Sequence, residues 1–376
     1  MFKEYDRNSF NELNKQHNIL ALVGNGFDIG ALKKYKKGIA SGKTTSYPEF
    51  YNYLLSDLTN KDNILFKEMK KDKENDKDNW SDFENTLSQL LKKSSYNVSE
   101  LEKSVDELQK YFIMFLNEVV DYSFILEFNQ LARKNKWAWN TLSHFLRDLP
   151  SGETKFASKT GCYDLFNFVF VNFNYTNLLE NYLYLDKNQF DPHVHKNVDT
   201  NFLFYSNNAG SGGSESIWSS YVLCDVIHPH GIQGVPRSLL FGIDLKEYDK
   251  GRSFEKKLVK PYWARCEVKY RDYIETAELF IIYGMSLGEM DAWWMDAIYD
   301  ELLSRDVELI IYMYGDSDEE IVKKKFINSC VRHLGDSKTN REVVNNKIHV
   351  VTFVDNTTWF LGFNQNDEYN TSNEMK

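Results

Sequence analysis

Four cysteines in 376 residues, Cys162, Cys224, Cys266 and Cys330, lie far apart and form no Cys-x-x-Cys pair. This argues against a disulfide framework and against a structural zinc site, and it fits a reducing, cytoplasmic setting. Long apolar runs are missing as well. The start, Met1-Phe2-Lys3-Glu4-Tyr5-Asp6, has no apolar signal-peptide core, and no uncharged run reaches membrane-spanning length. Basic residues are outnumbered, with 45 Lys and Arg against 55 Asp and Glu, a formal charge of −10. A broad nucleic-acid surface needs clustered cations, so neither nucleic acid nor membrane is expected as a partner. Glycine is absent from Phe50 to Leu149, a stretch that also lacks strand signals.

What is present is ordinary hydrophobic content, 42%, with an unusually aromatic flavour of 23 Tyr and 26 Phe. Such rings belong mostly in a core, and some line pockets. The length allows one large core or two modest ones. Short apolar runs at Ile19–Val23, Phe166–Asn172, Phe202–Tyr205, Leu239–Phe241, Leu279–Tyr283, Leu309–Tyr314 and His349–Phe353 read as strands. Continuous rather than alternating apolar character suits parallel strands covered on both faces. Helical segments between them predict an α/β fold, a parallel sheet flanked by helices. Between the first and second strands, Leu87, Leu90, Leu91, Leu101, Leu108, Phe112 and Phe115 recur at helical spacing and predict a large all-helical insertion. The expected organisation is residues 1–50 for the first strand and its turn, 51–155 for the insertion, 156–360 for the rest of the α/β domain, and 361–376 for a polar tail. Lys67–Asn79 reads as a solvated helix end or mobile loop, and Asn207–Ser216 as a flexible loop.

Four stretches could carry chemistry. Gly24-Asn25-Gly26-Phe27-Asp28 follows the first strand directly. Glycines there allow positive φ and close approach of a ligand, and a following helix N-terminus favours a phosphate. Asn172-Phe173-Asn174-Tyr175-Thr176-Asn177 follows the second strand. Its amides suit ribose hydroxyls, or its Asn and Thr cap the next helix; for Asn174 the functional reading is preferred. His228-Pro229-His230-Gly231 offers an imidazole base near neutral pH. With His193 and His195 a four-His metal site is arithmetically open, but no further ligands lie nearby and no metal is expected. Gly284-Met285-Ser286-Leu287-Gly288-Glu289-Met290-Asp291 repeats the strand-then-glycine logic. There Ser286 could donate to a phosphate or ribose, and Asp291 either accepts from a ribose hydroxyl or caps the helix containing Trp293 and Trp294. Gly42-Lys43-Thr44 is not a P-loop, because Lys37 stands where that pattern needs its first glycine.

Taken together, these motifs resemble the abortive-infection AbiH family of bacterial phage-defence proteins. The resemblance rests on Gly24–Asp28, Thr45-Ser46-Tyr47-Pro48-Glu49-Phe50, Trp80-Ser81-Asp82-Phe83-Glu84, Phe173–Asn177, His230-Gly231, Leu240-Phe241-Gly242-Ile243-Asp244 and Gly284–Leu287. The same order is similar to a distant sirtuin, which implies a Rossmann-type fold binding NAD across the strand ends. By that likeness Gly24 and Gly26 meet the pyrophosphate, with Asn25 and Asp28 also expected to bind the cofactor, Asn174 lies near the nicotinamide ribose, and His230 is the base. Gly284 and Ser286 support the adenosine side, and Asp291 is expected among the cofactor-binding residues. The chain departs from sirtuins at Asn25, at Thr176 in place of an acidic residue, at Met285, and in lacking two Cys-x-x-Cys pairs. Without a zinc module and acyl-lysine groove, cleavage of NAD by water is the simpler reaction left.

The leading expectation is an anti-phage effector that binds and hydrolyses NAD, with NAD a substrate or ligand rather than a resident cofactor. One alternative is a module that senses NAD or an ADP-ribose-type signal without cutting it. Another is a metal-dependent nuclease using the histidines with Asp244 or Asp291. The helical insertion is a place for contacts between copies of the chain, or for a lid over the site.

Overall fold

The computed structural model describes residues 1–37, 42–57, 62–78, 80–93, 97–192, 200–209, 215–244, 258–354 and 357–364. Seven strands run through them: β1 (Gln16–Val23), β2 (Leu165–Asn172), β3 (Phe202–Ala209), β4 (Glu215–Ile227), β5 (Leu279–Tyr283), β6 (Glu308–Tyr314) and β7 (Ile348–Phe353). Every residue of β2 and β5 is buried, as are Ile19–Val23 of β1. Side chains alternate between the two faces of a strand, so this means that both faces are covered. The sheet order is β3-β4-β2-β1-β5-β6-β7. All neighbours are parallel except β3 and β4. Setting β3 aside, the parallel strands follow the 3-2-1-4-5-6 order of doubly wound nucleotide-binding sheets. The chain leaves β1 toward β2 on one side and later returns to β5 on the other. Beyond the strand ends, the gap between β1 and β5 is the point where that direction switches.

Register fixes what meets there. Val23 pairs with Asn172 of β2 and with Tyr283 of β5. The three central strands therefore end level, and the residues that follow them, Gly24, Phe173 and Gly284, emerge side by side.

Four sequence expectations are corrected. Phe202–Tyr205 does lie in a strand, but β3 is antiparallel to β4. No strand is expected between Phe202–Tyr205 and Leu239–Phe241, yet β4 runs there for 13 residues. Its first half pairs with β3 and its second half with β2, so its outer end carries serines rather than a continuous apolar run. Much of Asn207–Ser216, expected as a loop, belongs to these two strands; its residues 210–214 lie outside the described residues. Leu239–Phe241 forms no strand. The Leu240 N–H goes to His230 O (2.8 Å) and the Gly242 N–H to the Glu84 carboxylate (3.2 Å), while Phe241 packs on Phe83 and Phe112. Its apolar content serves contact between layers.

Helices fill the stretch between β1 and β2, beginning with Gly26–Tyr35, and Ile64–Glu74 takes in much of the charged run from Lys67. The longest, Val98–Val119, buries Leu101, Val105, Leu108, Phe112, Phe115, Leu116 and Val119. That spacing of three and four residues makes one apolar face. Asn97 caps its start by accepting the Ser99 N–H (2.9 Å). The Phe112 ring meets Phe50, Tyr175 and Phe241 at 4.9, 5.3 and 5.1 Å between centroids, so the insertion is laid against the loops at the strand ends. Its apolar residues and those of the sheet form one continuous core. Among the described residues no helix is long and apolar enough to cross a membrane.

Residues 357–364 form a strap. Tyr283, Tyr182, Lys34 and Trp137 donate to the carbonyls of Leu361, Gly362, Phe363 and Asn364 at 3.2, 2.7, 2.7 and 2.7 Å. Asp148 accepts the Trp359 and Phe360 N–H groups. Leu361 and Phe363, which the sequence groups with the polar tail, are fully buried.

At the opposite end of the sheet His17 is buried between Asp164 (3.1 Å) and Glu278 (2.8 Å). Burial pulls its pKa down, but the two carboxylates together outweigh that and hold it above the ordinary value. The stabilisation is therefore complete below the unfolded value near 6.5 and is lost as pH rises through the folded one. In thermal unfolding, His17→Gln is expected to cost about 1.5 kcal/mol or more at pH 5.5 and clearly less at pH 9.

Candidate functional site

The two glycine turns interlock. Gly24 N–H donates to Tyr283 O and Gly26 N–H to Gly284 O, each at 2.9 Å. Gly284 takes φ +64°. A Cβ on Gly24 would lie 2.8 Å from Gly284 O, and one on Gly26 only 2.7 Å from Gly284 Cα. The glycines are thus required for backbone to lie on backbone. Two amides that the sequence offers to a phosphate are already given to the neighbouring turn. Asn25 is likewise engaged: its Nδ2 donates to Thr45 O (3.0 Å) and its Oδ1 accepts from Thr45 Oγ1 (2.6 Å), which fastens the start of the insertion to the turn.

Beside this pair, Asn172 Oδ1 accepts the Asn174 N–H (3.0 Å) and shapes the bend after β2. From there the side chains divide. Asn174 and Thr176 turn toward the first glycine turn. Asn174 Nδ2 donates to Gly24 O (3.2 Å), and Thr176 Oγ1 donates to Asp28 Oδ2 (2.7 Å). Asp28 is 1% exposed and Asn174 3%. Among the described residues Asp28 Oδ1 and Asn174 Oδ1 have no hydrogen-bond partner, and neither has Glu180 Oε2 close by. His228 joins them, its Nδ1 3.3 Å from Asn174 O and its Nε2 bonded to Glu180 Oε1. Burial lifts the Asp28 carboxyl to about 7; the Thr176 bond works against that, Glu180 reinforces it and His228 opposes it. All the unpaired atoms of this cluster are oxygens.

Phe173 and Tyr175 turn the other way, to His230, at 5.2 and 6.4 Å between ring centroids. The His230 Nε2 lies 3.6 Å from Asp291 Oδ1. Lys260 Nζ bonds that same oxygen at 3.2 Å and Glu84 Oε2 at 3.1 Å. Tyr47 donates to Glu84 Oε2 (3.3 Å). Lys260 and Glu84 are almost wholly buried. Burial and the Lys260 charge push the His230 imidazole down to about 3, with Asp291 opposing. Burial raises Glu84 to about 7, whereas Lys260 and His230 overcome the burial of Asp291 and hold it below the usual carboxylate range. The two carboxylates outweigh the burial of Lys260 and keep it charged. At neutral pH the set is an Asp291–Lys260 ion pair, a neutral imidazole, and one carboxyl near its midpoint.

Asp291 is thus neither a free ribose acceptor nor a helix cap. Its carboxylate belongs to Lys260, and the helix Ala292–Ser304 receives its cap bond from Asp244 Oδ2 to the Trp293 N–H (2.6 Å). Ser286 is exposed and joins neither cluster. His193 and His195 lie outside the described residues. Among the described residues no group of three or more His, Cys, Asp and Glu could hold a metal ion. Lys260 was missed because a single lysine carries no motif. Its flanks, Leu258-Val259 before and Pro261 after, are themselves buried and are the signal that it is buried too.

A protein-family model described as "Bacteriophage abortive infection AbiH" matches residues 20–313. The chain belongs to the AbiH family. No match is found among curated proteins. The AbiH match runs from β1 through nearly all of β6, so both clusters and both glycine turns fall inside it, while β7 and the strap lie beyond. Within the AbiH chain the Glu84–Lys260–Asp291 bonds join the helical insertion to the sheet's strand-end loops. Removing one partner of a buried ion pair leaves an uncompensated charge. Lys260→Met is expected to lose about 3–5 kcal/mol in urea unfolding. Adding Glu84→Gln to that variant should recover part of the loss, because it removes one stranded carboxylate.

Proposed function

We propose that this AbiH-family protein acts in phage abortive infection by binding NAD across the ends of β1, β2 and β5 and hydrolysing it. The observation that carries the reading is the pair of buried, unpaired oxygens of Asp28 and Asn174 beyond the ends of β1 and β2, in a sheet with dinucleotide-binding strand order. Unpaired buried acceptors are costly, and ribose hydroxyls are donors of the kind that would satisfy them. In the reaction the bond between C1′ of the ribose and the nicotinamide nitrogen breaks, and its electron pair leaves with neutral nicotinamide. Water forms the new C1′–O bond, loses a proton to an acceptor, and leaves ADP-ribose. Asn174 orients the ribose. His230 and Asp291 lie on the far side of the Phe173–Tyr175 segment and support it. Placement of this kind lowers the barrier by fixing geometry and excluding water.

A second reading, nucleotide sensing without cleavage, is favoured by one observation: His230, the base expected from the sequence, is held at about 3 by burial and by Lys260, far below the neutral value that suits a general base. The test is to incubate purified protein with NAD and follow both nicotinamide and intact NAD. Release of nicotinamide, reduced on the order of 10²-fold or more by Asn174→Ala, supports hydrolysis. Calorimetric binding with all NAD recovered unchanged would decide for sensing.

A further inference from the structure

We propose that Asp28, rather than His230, is the catalytic residue that takes the proton at this site. The proposal rests on the reading that NAD is cleaved here. Asp28 stands in the first turn of the helix Gly26–Tyr35, directly after the interlocked glycines. One oxygen, Oδ2, is fixed by the Thr176 hydroxyl at 2.7 Å. The other, Oδ1, is buried and unpaired, as is the neighbouring Asn174 Oδ1. A carboxylate held by one oxygen with the second left free is oriented to receive a proton. His230 has no such freedom, because it packs between Phe173 and Tyr175 and faces the Asp291–Lys260 pair.

The surroundings of Asp28 fit the role. The titratable and charged groups acting on it are Glu180, on the helix Leu178–Leu183, and His228, after β4. These two are bonded to each other and act on it in opposite directions. Burial then dominates and sets the carboxyl near 7, where a general base is most effective at neutral pH. In the step itself an O–H bond of the attacking water breaks. Its electron pair forms the C1′–O bond and its proton goes to Asp28 Oδ1, while the C1′–N pair leaves with nicotinamide. The neutral carboxylic acid then returns the proton to solvent after ADP-ribose departs.

Thr176 is the positioning residue in this scheme, and it supplies the decisive test. Its hydroxyl favours the ionised form of Asp28. Nicotinamide release by the wild type, followed from pH 5 to pH 9, is expected to rise on the order of 100-fold and level off above about pH 7. Thr176→Val should move that rise upward by on the order of one pH unit, Thr176→Ser should restore it, and His230→Gln should leave its position unchanged. Thermal unfolding checks that each variant is folded. A rise that shifts with His230→Gln and not with Thr176→Val overturns the assignment while leaving NAD hydrolysis standing. If NAD binds but is not cut, hydrolysis and the assignment of Asp28 fall together and sensing stands. If NAD does not bind, both readings fall.

Discussion

Everything at the strand ends depends on two peptide turns touching without side chains between them. β1 and β5 end at the same level, and Gly24, Gly26 and Gly284 let their turns close to direct backbone contact. From that contact the helix bearing Asp28 departs on one side, and the segment leading to Asp291 departs on the other. Asn174 is hung on the same point through Gly24 O. A single added methyl group would separate the turns and displace both polar clusters at once. The glycines therefore fix relative positions, whatever else they contact.

The two clusters differ in how their polar groups are satisfied. Around Lys260 charges are matched: one ammonium lies between two carboxylates, with a tyrosine hydroxyl and a backbone N–H completing Glu84. Burying such charges is tolerable only when each is bonded, and here the bonding also ties the insertion to the sheet. Around Asp28 the balance is one-sided, with acceptors exceeding donors. A folded protein rarely leaves several buried oxygens unpaired in one place. That contrast separates a cluster whose bonds are complete from one with oxygens to spare.

Much of this was legible in the chain itself. Apolar runs located β1, β2, β5, β6 and β7, because interior parallel strands need apolar residues on both faces. The glycine turns and the segment after β2 were visible by their place at strand ends. Less visible was anything set by long-range contact. Gly24 and Gly26 meeting Gly284 is a relation across some 260 residues, and so is the pairing of Lys260 with Glu84 across 176. Leu239–Phe241 has the composition of a strand, yet its apolar side chains face Phe83 and Phe112 and its amides bond to loop and side-chain oxygens. β4 was hidden because it changes partner midway, and its outer half needs only one covered face. Asp291 looked like a cap from its position before a helix, but Lys260 claimed its carboxylate and Asp244 supplied the cap.

The strap at 357–364 carries a consequence for biogenesis. It holds the helix Gly26–Tyr35 through bonds such as Lys34 to Phe363, 329 residues apart in the chain. Contacts that distant form late, since the intervening polypeptide must first be made and arranged. During translation the helix bearing Asp28 thus lacks its final fastening until residue 364 has left the ribosome. The order of synthesis thus sets the order of fastening, and the start of the chain waits for its end before that helix is locked against the sheet.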